Sequence, residues 1–133
     1  MSTAREMHLV VVTPETTLFD EPITALQFPL FDGQAGILPG RAPMVGRLGY
    51  GEMKATLPGG DAHFFIDGGF IQVKGSVVSV LTSRAIPVHE IDAQEAEELL
   101  KDASERIPTS EAEFEAKERD QERARRMLAI SSR

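Results

Sequence analysis

Hydrophobic residues recur along this chain with two different periods. Up to about residue 86 they alternate with polar ones, as strands with one buried face require; beyond Asp92 they return every third or fourth position, as one face of a helix requires. The clearest alternation is Phe70 to Lys74, which sets Ile71 and Val73 on one face and Phe70, Gln72 and Lys74 on the other. Val77 to Thr82 follows after Gly75-Ser76, and glycine first in a two-residue loop suits a type II′ hairpin turn. Lys54 to Leu57 and Ala62 to Ile66, separated by Pro58-Gly59-Gly60-Asp61, predict a second hairpin. Leu9 to Val12, Thr17 to Phe19 and Ala25 to Phe28 supply further strands, and Gly68-Gly69 marks a bulge or a sharp bend. Short strands separated by turn signals predict an all-β sandwich or barrel rather than strand–helix–strand units.

Pro87 closes the β region, and Asp92 opens the helical one as an N-cap with Glu95 at capping-box spacing. Ala96, Leu99, Leu100, Ala103 and Ile107 then fall on one helix face until Pro108 stops it. Thr109 or Ser110 caps a second helix, with Glu113 placed to close another box, and it runs to about Ile130. The expected architecture is therefore an N-terminal β-sandwich, residues 1–88, followed by a C-terminal antiparallel two-helix hairpin, residues 89–133, α+β overall. The second helix offers only Ala112, Ala116, Ala124, Met127 and Leu128 to the seam. At about 25 cal/mol per Å² a seam made largely of alanine yields only a few kcal/mol before entropy is subtracted, so the hairpin can open. The pairs Glu115–Arg119 and Glu122–Arg126, at i and i+4, each add roughly 0.2–0.5 kcal/mol to the isolated second helix.

Composition sharpens the same boundary. All 11 glycines lie at or before Gly75, and of the aromatic residues only Phe114 lies beyond Phe70. The net charge of −7 argues against nucleic acid as the main partner. Charge is unevenly spread: Asp92 to Glu115 carries nine acidic against two basic residues, and Lys117 to Arg133 six basic against three acidic. With no cysteine, disulfide and thiolate chemistry are excluded. Met1 to Glu6 lacks the apolar or Arg-rich character of a targeting segment, and no apolar run reaches the length of a bilayer span, so attachment to a membrane is expected only through partners.

Candidate chemistry is sparse. His8, His63 and His89 are scattered without metal-ligand spacing, and neither a phosphate loop nor a nucleophile elbow is present. Gly49-Tyr50-Gly51 lacks the third glycine and following helix of a dinucleotide site, and Asp61 and Asp67 read as turn residues. Arg119, Arg123 and Arg126 form a basic stripe at i, i+4 and i+7, which by itself describes a solvated face. The most tightly specified segment is Gly36-Ile37-Leu38-Pro39-Gly40-Arg41-Ala42-Pro43-Met44: Pro39-Gly40 is a type II turn recipe and Pro43 bars a helix, yet no reactive group is offered.

That string resembles the signature loop of the epsilon subunit of F-type ATP synthases. His8 to Glu15 resembles the opening strand and turn of that family, and Phe65 to Val73 resembles its apolar run, double glycine and following strand, in family order and spacing. One departure is Arg41, which stands where the family usually has histidine; a positive or hydrogen-bonding contact survives the change.

The resemblance implies a non-catalytic rotor subunit without a cofactor, coupling the gamma subunit and the c-ring to the catalytic head, peripheral on the cytoplasmic face of the bacterial inner membrane. It places partner contacts on the rigid loops Asp32 to Gly36 and Gly36 to Met44, at Asp32, Gln34, Gly36, Pro39, Gly40, Arg41 and Pro43. It implies that Arg119, Arg123 and Arg126 contact the alpha and beta subunits of the head and inhibit hydrolysis when the helices extend. Family members that bind ATP between the helices use Ile or Leu, Asp, two variable residues, Arg and Ala; here Asp92 and Ala96 match, but Glu95 replaces the arginine. An anion that repels phosphate predicts weak or absent ATP binding. On the residues alone, a free-standing sandwich and coiled-coil adaptor protein accounts for the same pattern.

Overall fold

The computed structural model describes residues 7–38 and 43–131. The chain divides after Pro87 into two compact units. The first holds eight strands: β1 (Met7–Val12), β2 (Thr17–Ile23), β3 (Ala25–Leu30), β4 (Gly33–Ile37), β5 (Met44–Leu57), β6 (Gly60–Lys74), β7 (Val77–Leu81) and β8 (Ala85–Pro87). They form one mixed sheet in the order β2-β1-β7-β6-β5-β3-β4, with β8 pairing the first half of β6. Neighbours run antiparallel except β1 and β7, which are parallel. Leu9 and Val78, on the neighbours β1 and β7, share one buried cluster with Leu26, Phe28 and Ile37, on β3 and β4, although β6 and β5 separate the two pairs in that order. The sheet therefore curls over itself into the two layers of a sandwich.

Alternation drives this closure. β1 buries Met7, Leu9 and Val11 and leaves His8, Val10 and Val12 half-buried. In β6, Ile71 and Val73 are buried and Gln72 and Lys74 exposed, the two faces predicted from the pattern. Burying a side chain such as Leu9 or Phe28 contributes about 1.5–3 kcal/mol. Gly75 has φ +62° and no non-glycine residue among those described has positive φ, which is the type II′ pattern.

The β5–β6 hairpin is longer than its sequence suggests. Pairing runs without a slip from Met44↔Val73 to Leu57↔Gly60, so the loop is Pro58-Gly59 alone, and Gly60 and Asp61 belong to β6. The first ten residues of β5 escape the pattern because Gly46, Gly49 and Gly51 have no side chain to declare a face. Gly49 is required by proximity: a Cβ there would lie 2.8 Å from the carbonyl oxygen of Leu30. The pair Gly68-Gly69 is a bend with φ +71° and +112°. Here β6 leaves β8 and takes up β7, and a Cβ on Gly69 would come within 2.0 Å of the Leu81 carbonyl oxygen.

A second correction concerns the segment read as loops from Asp32 to Gly36 and from Gly36 to Met44. Gly33–Ile37 is an edge strand, paired with β3 from Leu30↔Gly33 to Leu26↔Ile37, and Met44 begins β5. Buried Ile37 anchors it, whereas Gly33 and Gly36 hide its period.

The second unit begins with a 3-10 turn, Val88–Glu90, followed by α1 (Ala93–Glu105) and α2 (Glu111–Ser131). Asp92 caps α1 by accepting from the Gln94 N–H at 2.9 Å. Ser110 caps α2 by accepting from the Glu113 N–H at 3.1 Å. Glu113 reaches back to accept from both the N–H and the hydroxyl of Thr109, each at 3.0 Å, one residue before the usual capping-box donor. These bonds hold the Glu113 carboxyl below its ordinary range. Ile107, predicted as part of the α1 stripe, lies beyond the helix and is 86% exposed. Pro108 disfavours helical geometry at Ile107 itself, and α1 already closes at Glu105, with Arg106 extended.

Candidate functional site

Two surfaces gather the residues singled out above. On the sandwich, Asp32 stands exposed in the β3–β4 turn, Gln34 and Gly36 are exposed on β4, and Pro43 is exposed just before β5. Pro39, Gly40 and Arg41 lie outside the described residues. The same end of β5 carries a row that the sequence did not announce. Arg47 faces Phe70 across β5–β6, and Phe70 faces Leu81 across β6–β7. In-register residues share a face of the sheet, so these three side chains stand side by side. The Phe31 N–H donates to the Arg47 carbonyl at 3.1 Å, and the Arg47 guanidinium sits 5.7 Å from the centre of the Phe31 ring.

Phe31, Val45, Phe70 and Leu81 are 67%, 73%, 58% and 51% exposed. Single exposed apolar residues need no explanation, but four along adjacent strands with a cation among them mark an interaction surface. One signal was available beforehand: Phe70 shares the outward face of its strand with Gln72 and Lys74, where a phenylalanine gains nothing in a free sheet. Phe31, Val45, Arg47 and Leu81 gave no such signal, because their adjacency exists only after strands remote in sequence have paired.

On the helices, the basic stripe is not uniform. Arg119 is exposed and belongs to no ion pair among the described residues, so the expected Glu115–Arg119 pair is not formed. Arg126 is exposed and donates to Glu122 at 2.7 Å, as the spacing predicted. Arg123 is half-buried and donates to Asp120 at 3.1 Å. Between the helices, Arg106 donates to Asp120 of α2 and, at 3.2 Å, to Asp102 of its own helix. The paired carboxylates raise the Arg106 pKa further. Leu99, Arg106, Asp120, Arg123 and Ala124 line a cavity of about 70 Å³. Ligand pockets run to several hundred Å³. Asp92 is occupied as a helix cap and Ala96 is fully buried, and neither lines that cavity.

Each histidine has one carboxylate beside it: His8 with Asp20, His63 with Glu52 at 2.7 Å, and His89 with Glu90 at 3.6 Å. Among the described residues no three metal-binding side chains come together. An open groove of about 460 Å³ beside the β5–β6 turn is lined by Glu21, Pro22, Leu57, Pro58, Gly59, Gly60 and Asp61, with two carboxylates as its only ionisable groups. No helix of the described residues is long and apolar enough to cross a membrane.

Residues 6–88 match the family model of the ATP synthase Delta/Epsilon chain, beta-sandwich domain. The ATP synthase epsilon chain of Rhodopirellula baltica is 43% identical over 122 residues, covering 92% of this chain and 95% of the relative. That of Solibacter usitatus is 39% identical over 94 residues, covering 71% and 70%. Among solved structures, a chain of the Euglena gracilis mitochondrial ATP synthase OSCP/F1/c-ring complex superposes with a TM-score of 0.83 at 26% identity, over 94% of this chain and 81% of that one. A chain of the Tetrahymena thermophila central stalk and c-ring, at 14% identity and a TM-score of 0.75 over 94% and 96%, shares the fold. Because the likeness runs past the sandwich and through the helices, the chain belongs to the ATP synthase epsilon chain family.

Proposed function

We propose that the chain is the accessory, non-catalytic central-stalk subunit of a rotary F-type ATP synthase, with no active site of its own, working peripherally on the cytoplasmic face of a bacterial inner membrane. The sandwich joins the gamma shaft to the c-ring, and the helices restrain ATP hydrolysis by reaching the alpha and beta subunits. The observation that carries the coupling role is the exposed row of Phe31, Arg47, Phe70 and Leu81 on a chain of this family. A face with aromatic anchors and one arginine has the composition of a binding hot spot. The edge formed by Asp32, Gln34, Gly36 and Pro43 adds backbone groups already fixed by sheet pairing and proline, so little ordering entropy is lost on contact. Arg41→Ala should loosen assembly and Arg41→His should not, because the proposed contact needs a donor rather than a guanidinium.

Reassembly with purified gamma subunit and c-ring tests the reading. Phe70→Ser is expected to weaken association by about 2 kcal/mol or more, close to thirtyfold, while Ile107→Ser, an exposed apolar change on the other unit, leaves it unchanged. Equal affinities for wild type and Phe70→Ser would remove this face from the interface.

A further inference from the structure

Polar bonds between α1 and α2 gather at the end of the hairpin next to its joint. Arg106 reaches Asp120, Lys117 Nζ donates to the Arg106 carbonyl at 2.8 Å, and Gln121 donates to the Ser104 hydroxyl at 3.2 Å. The residues that the helices bury are small or apolar, Ala96 and Ala103 on α1 and Ala124, Met127 and Ile130 on α2. Arg106 is thus a cation shared between carboxylates of both helices, Asp102 and Asp120. Each of its partners also has a bond that does not depend on the hairpin. Arg106–Asp102 is an i,i+4 pair within the α1 end, and Asp120–Arg123 an i,i+3 pair within α2.

We propose that Arg106 is an electrostatic latch: its bond to Asp120 holds the hairpin shut, and opening passes each charge to a partner on its own helix. No charge is stranded when the helices part, so the latch adds a threshold without making opening prohibitive. Because the bond is exposed, ions in solution screen it, and the closed state weakens as salt rises. Lys117 has no second partner among the described residues; its loss only returns a helix-end carbonyl to water.

The latch bears on the regulatory reading given above but is measured separately from it. The chain has no native cysteine, so Glu98→Cys and Arg125→Cys place spin labels at exposed sites on the two helices of the full-length protein. Paired-label distance distributions then give the open-to-closed ratio, and amide exchange along α2 reads the same opening where the open state is rare. Arg106→Gln and Asp120→Asn are each expected to raise that ratio about two- to fivefold, the range of an exposed ion pair. The double variant should open no further than either single one. Asp102→Asn should not raise the ratio, since it frees Arg106 for Asp120. Raising salt to about 1 M should open the wild type and leave the double variant unchanged. Additive single effects, an equal rise from Asp102→Asn, or a salt response that persists in the double variant would overturn the latch. ATP hydrolysis by the reassembled synthase separates the two ideas: variants that open the hairpin yet leave hydrolysis unchanged sink the inhibitory role and keep the latch, whereas a closed hairpin in every variant sinks the latch.

Discussion

Gly69 occupies a position that no residue with a side chain can hold unchanged. Its φ of +112° disfavours every L residue, and an added Cβ would sit 2.0 Å from a backbone oxygen on β7 that cannot rotate away. Gly69→Ala is expected to cost about 3 kcal/mol or more, combining strain with displacement of β7, as a fall in the urea midpoint of the full chain. Alanine in place of Gly59, where a Cβ meets nothing within 4 Å, should be near neutral. Glu113 makes a subtler claim. Its folded pKa lies below the ordinary 4.5, so its cap contributes fully above that pH and is lost as pH falls through the depressed value. The Thr109 amide proton, bonded to this carboxylate, should titrate in NMR spectra with an inflection below pH 4.5 and lose it in Glu113→Gln; an inflection at or above 4.5 would refute the bond. Both features were legible because the rules behind them are local: double glycine for a bend, Ser-x-x-Glu for a helix start. The need for Gly49 was not, since the atom that excludes a Cβ belongs to Leu30 on another strand.

Elements were legible where one period held without interruption. β1, β7 and both helices were placed within a few residues, whereas β4 and the first ten residues of β5 were hidden by glycines at Gly33, Gly36, Gly46, Gly49 and Gly51. Spacing alone also joined Arg119, Arg123 and Arg126 into one stripe, although Asp120 draws Arg123 to a half-buried position and leaves the other two outside. The helical unit begins at Val88, so truncation after that residue should spare the sandwich. In the reassembled synthase the truncated chain is expected to support coupling and to raise ATP hydrolysis, measured as phosphate release; unchanged hydrolysis would remove the inhibitory role. The closed hairpin encloses about 70 Å³ and carries Glu95 in place of an arginine, so calorimetry of the isolated protein should detect no sub-millimolar affinity for ATP.

At the scale of the molecule, the sandwich and the hairpin follow opposite assembly rules. The helices form from contacts close in sequence, such as Thr109 with Glu113 and Arg106 with Asp102, whereas the sheet is tied together by its parallel pair, in which His8 meets Val77 and Val12 meets Leu81. Separations of that length slow folding, and stopped-flow refolding should show a sheet phase in the millisecond-to-second range well after the helical signal. The exposed row of Phe31, Arg47, Phe70 and Leu81 belongs to the same scale, and was illegible in the sequence because it is a product of strand order rather than of any one strand. The parallel pair has a further consequence for synthesis. With β1 flanked by β2 on one side and β7 on the other, β1 leaves a ribosome with only one of its two hydrogen-bonding edges able to pair until Leu81 has emerged as well. A nascent chain stalled anywhere before that point displays an open strand edge, which makes translation through β5 and β6 the interval in which a chaperone, or another nascent copy, has something to bind.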